Sequence, residues 1–146
     1  MDDAFFELPA PPLVFPGQGP QSAFRTAHDL LERRAPREAQ QVLDDALSTE
    51  PRNTGLRVLR AWSYLMRAQL AHAEAELRDL VEEQPADDWV RHALGRSLER
   101  QSRLTEALPH LRLAAAMSGD PEHELAVLRV ERLLAESGQK PFDELT

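Results

Sequence analysis

Small and apolar residues return along this chain at intervals of 34 positions. Ala39, Ala73 and Ala107 share one phase, and Leu43, Leu77 and Leu111 a second. Ala27, Ala61 and Gly95 share a third, and Leu30, Tyr64 and Leu98 a fourth. Pro51 and Pro85 close two of the intervals, and the third closes at Gly119 with Pro121 just beyond. A fixed period in this range predicts stacked repeats, each burying against its neighbours a face it cannot bury alone. Each interval divides into two helical stretches around a short polar joint. The first helices are expected at 21–33, 54–67 and 88–101, and the second at 36–49, 70–83 and 104–117.

Local signals support these limits. Pro36 stands at a first helical position, where its missing N–H removes no bond. Glu50-Pro51-Arg52-Asn53 and Gln84-Pro85-Ala86-Asp87 read as breaks between repeats. Asp87 or Asp88 is placed to cap the next helix. Ser118-Gly119-Asp120-Pro121 is a stop followed by a start, and predicts a seventh helix over 121–137. Its apolar set reads Leu125, Leu128, Leu133 and Leu134, widened by Val127 and Val130, so it is expected to close the array with one polar side outward. Pro109 lies inside a second helix and should loosen one backbone hydrogen bond there.

Residues 1–20 differ, with prolines at 9, 11, 12, 16 and 20. They read as an extended tail with polyproline-II character. Phe5, Phe6, Leu8, Leu13, Val14 and Phe15 are too apolar for a typical disordered tail, so part of it is expected to dock along the groove or the first repeat. The domain reading is a tail at 1–19, a repeat domain at 20–138 (repeats about 20–53, 54–87 and 88–120, then the capping helix at 121–137) and a second tail at 139–146.

The recurring residues resemble the tetratricopeptide repeat, a 34-residue helix–turn–helix unit. The third repeat is nearest the family pattern, with Leu94, Gly95, Leu98, Ala107, Leu111 and Ala114. The second offers Ala61, Tyr64, Ala73, Leu77, Leu80 and Pro85, and the first Ala27, Leu30, Ala39, Leu43, Ala46 and Pro51. Thr26, Arg60, Leu80 and Gly119 depart from it. The resemblance implies an all-α, right-handed α-solenoid of three helix pairs plus a C-terminal capping helix. Its inner surface, lined by the first helix of each pair, would bind peptides or partner helices.

Carried over residue by residue, the resemblance implies a groove lined by Phe24, His28, Val58, Trp62, Leu65, Met66, Trp89, His92 and Arg96. Phe24 and His28 stand where relatives that clamp a C-terminal carboxylate carry Lys and Asn, so that clamp is not expected. Read from the residues alone, 55–68 is apolar nearly all round, with a second stripe at Val58, Trp62, Leu65 and Met66. Such a helix is buried on more than one side. Either a ligand covers that stripe, or Trp62 and Met66 simply fill a tight interior. Arg96, Glu99 and Arg100 read as an exposed polar rim, and His72, His110 and His123 as surface.

Composition narrows the function classes. With 17 Lys+Arg against 25 Asp+Glu the net charge is −8 and the pI near 5.1, which leaves no basic footprint for a nucleic-acid backbone. There is no cysteine, hence no disulfide or thiolate metal site. No His-x-x-x-His or His-Glu-x-x-His pair occurs, so His28 and His92 are not expected to be ligands, and neither metal nor cofactor is expected. Residues 13–21 resemble the opening strand and Gly-Gln-Gly turn of acyl-carrier-protein acyltransferases, but no Gly-x-Ser-x-Gly elbow accompanies them. No leader or membrane span is read, and a cytoplasmic protein is expected. The sequence therefore predicts a non-catalytic protein-interaction module. The alternatives are a dedicated chaperone for a secreted or membrane-active client, or an accessory subunit of an enzyme. The partner is a protein or peptide, with self-docking of the tail or a homodimer as further cases.

Overall fold

The computed structural model describes residues 8–11 and 21–138. The expectations for residues 1–7, 12–20 and 139–146, including docking of their apolar side chains, lie outside the described residues. Within them the chain is all-α, with seven helices: α1 Gln21–Glu32, α2 Pro36–Thr49, α3 Thr54–Met66, α4 Leu70–Glu83, α5 Asp88–Arg100, α6 Leu104–Ser118 and α7 Pro121–Glu136. Each starts at the residue the pattern named and ends within one position of it. The chain divides into two compact units at Leu80–Val81, inside α4.

In the first unit small residues set the helix spacing. Ala27 of α1 and Ala39 of α2 are fully buried, as are Ala61 of α3 and Ala73 of α4. Leu31, Leu43, Leu56, Leu59, Leu77 and Leu80 fill the space between. Burial of each leucine contributes roughly 1.5–3 kcal/mol. Arg60, a departure from the repeat pattern, is explained by its partners. It donates to both carboxylate oxygens of Glu76 on α4 (3.0 and 3.2 Å) and lies 3.6 Å from Asp44 on α2. The polar head thus ties three helices together. Asn53 caps α3 by accepting from the Leu56 N–H at 3.1 Å.

The turn inside each repeat is built without glycine. Arg34, Ala68 and Ser102 all have positive φ, at 62°, 56° and 61°. The next residue's N–H reaches back five positions each time: Ala35 to Leu30, Gln69 to Tyr64 and Arg103 to Leu98. This 6→1 bond belongs to the Schellman closure, which satisfies carbonyls that the helix end would orphan. The third example lies in the second unit, and the three are again 34 residues apart.

In the second unit α5 lies against α6 and α6 against α7. A Cβ built on Gly95 would sit 2.6 Å from Leu111 Cδ2, so the close approach of α5 and α6 needs the missing side chain. Asp87, not Asp88, caps α5 through the Val90 N–H. Asp120 caps α7 through the Glu122 N–H, after Gly119 ends α6 at φ 66°. Pro109 is exposed and α6 continues past it.

Three expectations are corrected here. The buried face of α7 is His123, Ala126, Val130 and Leu134. Leu125 and Leu128 are 57% and 61% exposed, because the close-packing stripe runs through the small Ala126 and the aligned His123 rather than through the larger leucines. His123 is therefore core, not surface. Arg96 and Glu99 are buried rather than an exposed rim, since a carboxylate and its arginine partners satisfy each other out of water.

Candidate functional site

Six of the groove residues inferred from sequence fall in the first unit, on α1 and α3. Phe24, His28 and Trp62 form a row of rings. The Phe24 and His28 centroids are 6.2 Å apart and stacked at 22°, and His28 and Trp62 are 5.9 Å apart at 59°. Gly55 makes room for this row, because a Cβ there would stand 3.2 Å from the Phe24 ring. Trp62 is 7% exposed, and Phe24, His28 and Leu65 are also buried. Val58 and Met66, on the same stripe of α3, remain half-buried. The helical order Val58, Trp62, Leu65, Met66 thus gives an apolar wall whose two ends still meet solvent.

His28 is the polar member of the row. Its Nδ1 lies 3.8 Å from Glu32 Oε1 one turn on, while its buried Nε2 has no hydrogen-bond partner among the described residues. An orphaned ring nitrogen in an apolar surrounding costs on the order of 1–3 kcal/mol. His28, Asp29 and Glu32 place their ligand atoms within 4.8 Å of one another, with both carboxylates exposed. Such a spacing is one a divalent cation could bridge.

The remaining three groove residues, Trp89, His92 and Arg96, follow one stripe of α5 in the second unit and are all buried. The structure adds partners that their sequence gave no sign of. His92 stacks on His123 of α7 at 4.1 Å and 13°. Burial, then the neighbouring charges of His123 and Arg96, push His92 down to about 3. Its Nδ1 has no hydrogen-bond partner among the described residues. Glu99 accepts from Arg96 at 3.1 Å and twice from Arg129 of α7, at 2.6 and 2.8 Å. Burial pushes its carboxyl up to about 7 against the pull of Arg96. Burial also holds the Arg96 guanidinium below its ordinary value, and Arg100 is lowered by burial and by Arg96.

One trio has the residue types of a hydrolytic relay. Ser118 Oγ lies 2.8 Å from His123 Nδ1, and Asp88 Oδ2 lies 4.0 Å from that same nitrogen. A relay needs nucleophile and carboxylate on opposite ring nitrogens, so this trio is a polar contact at the edge of the core instead. No helix among the described residues is long and apolar enough to cross a membrane.

Known proteins agree with this architecture. The tetratricopeptide repeat family matches residues 30–97. No curated protein matches the chain in sequence at a significant level. Two solved structures, MamA AMB-1 and MamA MSR-1, share the fold, with TM-scores of 0.67 and 0.68 at 18% identity. Each alignment covers 77% of this chain, and it spans 67% and 66% of the two neighbours. These matches set the fold among the α-repeat solenoids. Residues 30–97 thus match the tetratricopeptide repeat family, and the fold of the described residues is that of a helical-repeat solenoid.

Proposed function

We propose that this protein binds an extended or helical peptide segment of another protein along the apolar wall of α1 and α3. The observation that carries this is the wall on α1 and α3. Phe24, His28, Trp62 and Leu65 form a continuous aromatic and apolar layer, and the half-buried Val58 and Met66 carry its apolar character to solvent. Buried aromatics flanked by adaptable methionine are the usual anchors of such interfaces. A peptide also brings the backbone donors and acceptors that His28 Nε2 lacks among the described residues. Trp89, His92 and Arg96 hold the equivalent repeat positions on α5.

The test is a peptide-display selection on the wild-type chain, followed by calorimetric titration of the selected peptide. Val58→Glu and Met66→Glu place a charge at half-buried positions and leave the fold intact. Each is expected to weaken binding by at least about tenfold, or 1.4 kcal/mol. Leu125→Glu, on the outer side of α7, is expected to bind as wild type. Equal affinity in all three variants would refute the assignment to this wall.

A further inference from the structure

Among the described residues, the large apolar side chains left exposed are Leu113 and Met117 on α6 and Leu125 and Leu128 on α7. The two on α7 are the most open, and they share a stripe. At about 3.6 residues per turn, Pro121, Leu125, Leu128, Arg132 and Ala135 fall on the side of α7 opposite His123, Ala126, Val130 and Leu134. The first five are all exposed and the other four all buried. A helix that closes a repeat stack ordinarily turns a polar face outward. Here the middle of that face is a pair of leucines, and water contact with them is a cost that association removes.

The residues around the leucines indicate what covers them. Glu124 stands four positions before Leu128, and Arg132 stands four after it. Pro121 and Ala135, both small, stand seven before and seven after. The face is thus matched in size and opposite in charge about Leu128, which is what a two-fold symmetric contact requires of a single surface. We infer that α7 pairs antiparallel with α7 of a second copy of this chain, with Leu128 on the two-fold axis. Each Glu124 then meets the other copy's Arg132, and the small ends let the helices approach. The long apolar stem of Arg132 covers Leu125 while its head stays in water. Within its own chain Arg132 lies 3.8 Å from Glu136, and both side chains are mostly exposed, so that contact is readily given up. A parallel pairing would instead set Glu against Glu and Arg against Arg. Peptide binding at the α1 and α3 wall neither requires this contact nor is altered by its loss.

Sedimentation equilibrium of the full-length chain tests the pairing, from about 1 µM to about 1 mM, the range of weak specific contacts. The expected result is a reversible monomer–dimer equilibrium. Leu128→Glu should raise its dissociation constant at least about tenfold, while Leu113→Glu, on α6 and off the stripe, leaves it unchanged. Glu124→Arg and Arg132→Glu should each weaken self-association, because each sets like charges opposite one another twice. An equimolar mixture of those two variants should recover it as a heterodimer, each copy supplying the sign the other lacks. Circular dichroism checks that every variant keeps its helices. A wild-type chain that stays monomeric overturns the pairing, whether its own residues or another protein cover the face. A dimer that survives Leu128→Glu, or that tolerates either charge reversal, places the contact elsewhere and overturns it too. So does a mixture of the charge variants that stays monomeric, which rules out the antiparallel register.

Discussion

Arg129 on α7 donates two hydrogen bonds, at 2.6 and 2.8 Å, to the carboxylate of Glu99 on α5. Arg96 donates a third, at 3.1 Å. The carboxylate is thus the shared centre of the contact. Removing one side of a buried pair leaves the other charge stranded, which costs about 3–5 kcal/mol when both are fully buried. Glu99→Ala strands the buried Arg96 and is expected to cost about 3 kcal/mol. Arg129→Ala leaves Glu99 with Arg96 and should cost about half as much. Urea unfolding of the two variants measures this asymmetry, and equal losses would show that Arg96 contributes nothing to holding Glu99.

The stacked imidazoles of His92 and His123 are 4% and 2% exposed. His92 titrates near 3 in the folded chain against an ordinary 6.5. Its neutral form is therefore favoured by folding, and on acidification the unfolded chain takes up this proton first. The stability His92 confers is full above 6.5 and drains as the pH falls from there toward 3, with a slope of up to about 1.4 kcal/mol per pH unit. His92→Phe keeps a ring in the stack and has no proton to bind, so its stability should fall less steeply over this window. Parallel pH profiles for wild type and variant would contradict the assignment.

Arg34, Ala68 and Ser102 hold left-handed backbone in three equivalent turns. Side-chain-bearing residues pay about 1–2 kcal/mol there, and glycine avoids most of it while giving back part through its greater freedom when unfolded. Ala68→Gly is expected to raise stability by about 0.5–1 kcal/mol, the reverse of a glycine placed inside a helix. A rise in the denaturation midpoint checks this. A fall would mean that the turn is set by the side chain and not by its backbone.

The architecture could be read from sequence because its signals are local. Pro36, Asn53, Asp87 and Pro121 mark helix starts by their own backbone chemistry, and the alanines recur at the closest helix contacts. The face of α7 could not be read that way. Leu125 and Leu128 outweigh Ala126 and His123 on any hydrophobic count, yet the buried stripe follows the residues small enough, or suitably bonded, for close approach to α6. The Glu99–Arg129 bond joins residues 30 positions apart, and no periodicity announces it. The candidate groove was half legible. The family resemblance named Phe24, His28 and Trp62 as groove positions; it gave no sign that they stack as a row, how deeply they are buried, or that His28 Nε2 lacks a hydrogen-bond partner among the described residues.

The most direct measurement is an amide NMR titration of the full-length chain with the display-selected peptide. The account expects saturable shifts at Phe24, His28, Val58 and Met66, while Leu125 and Leu128 stay in place. Shifts confined to the outer residues of α7, with the α1 and α3 wall unmoved, would contradict it.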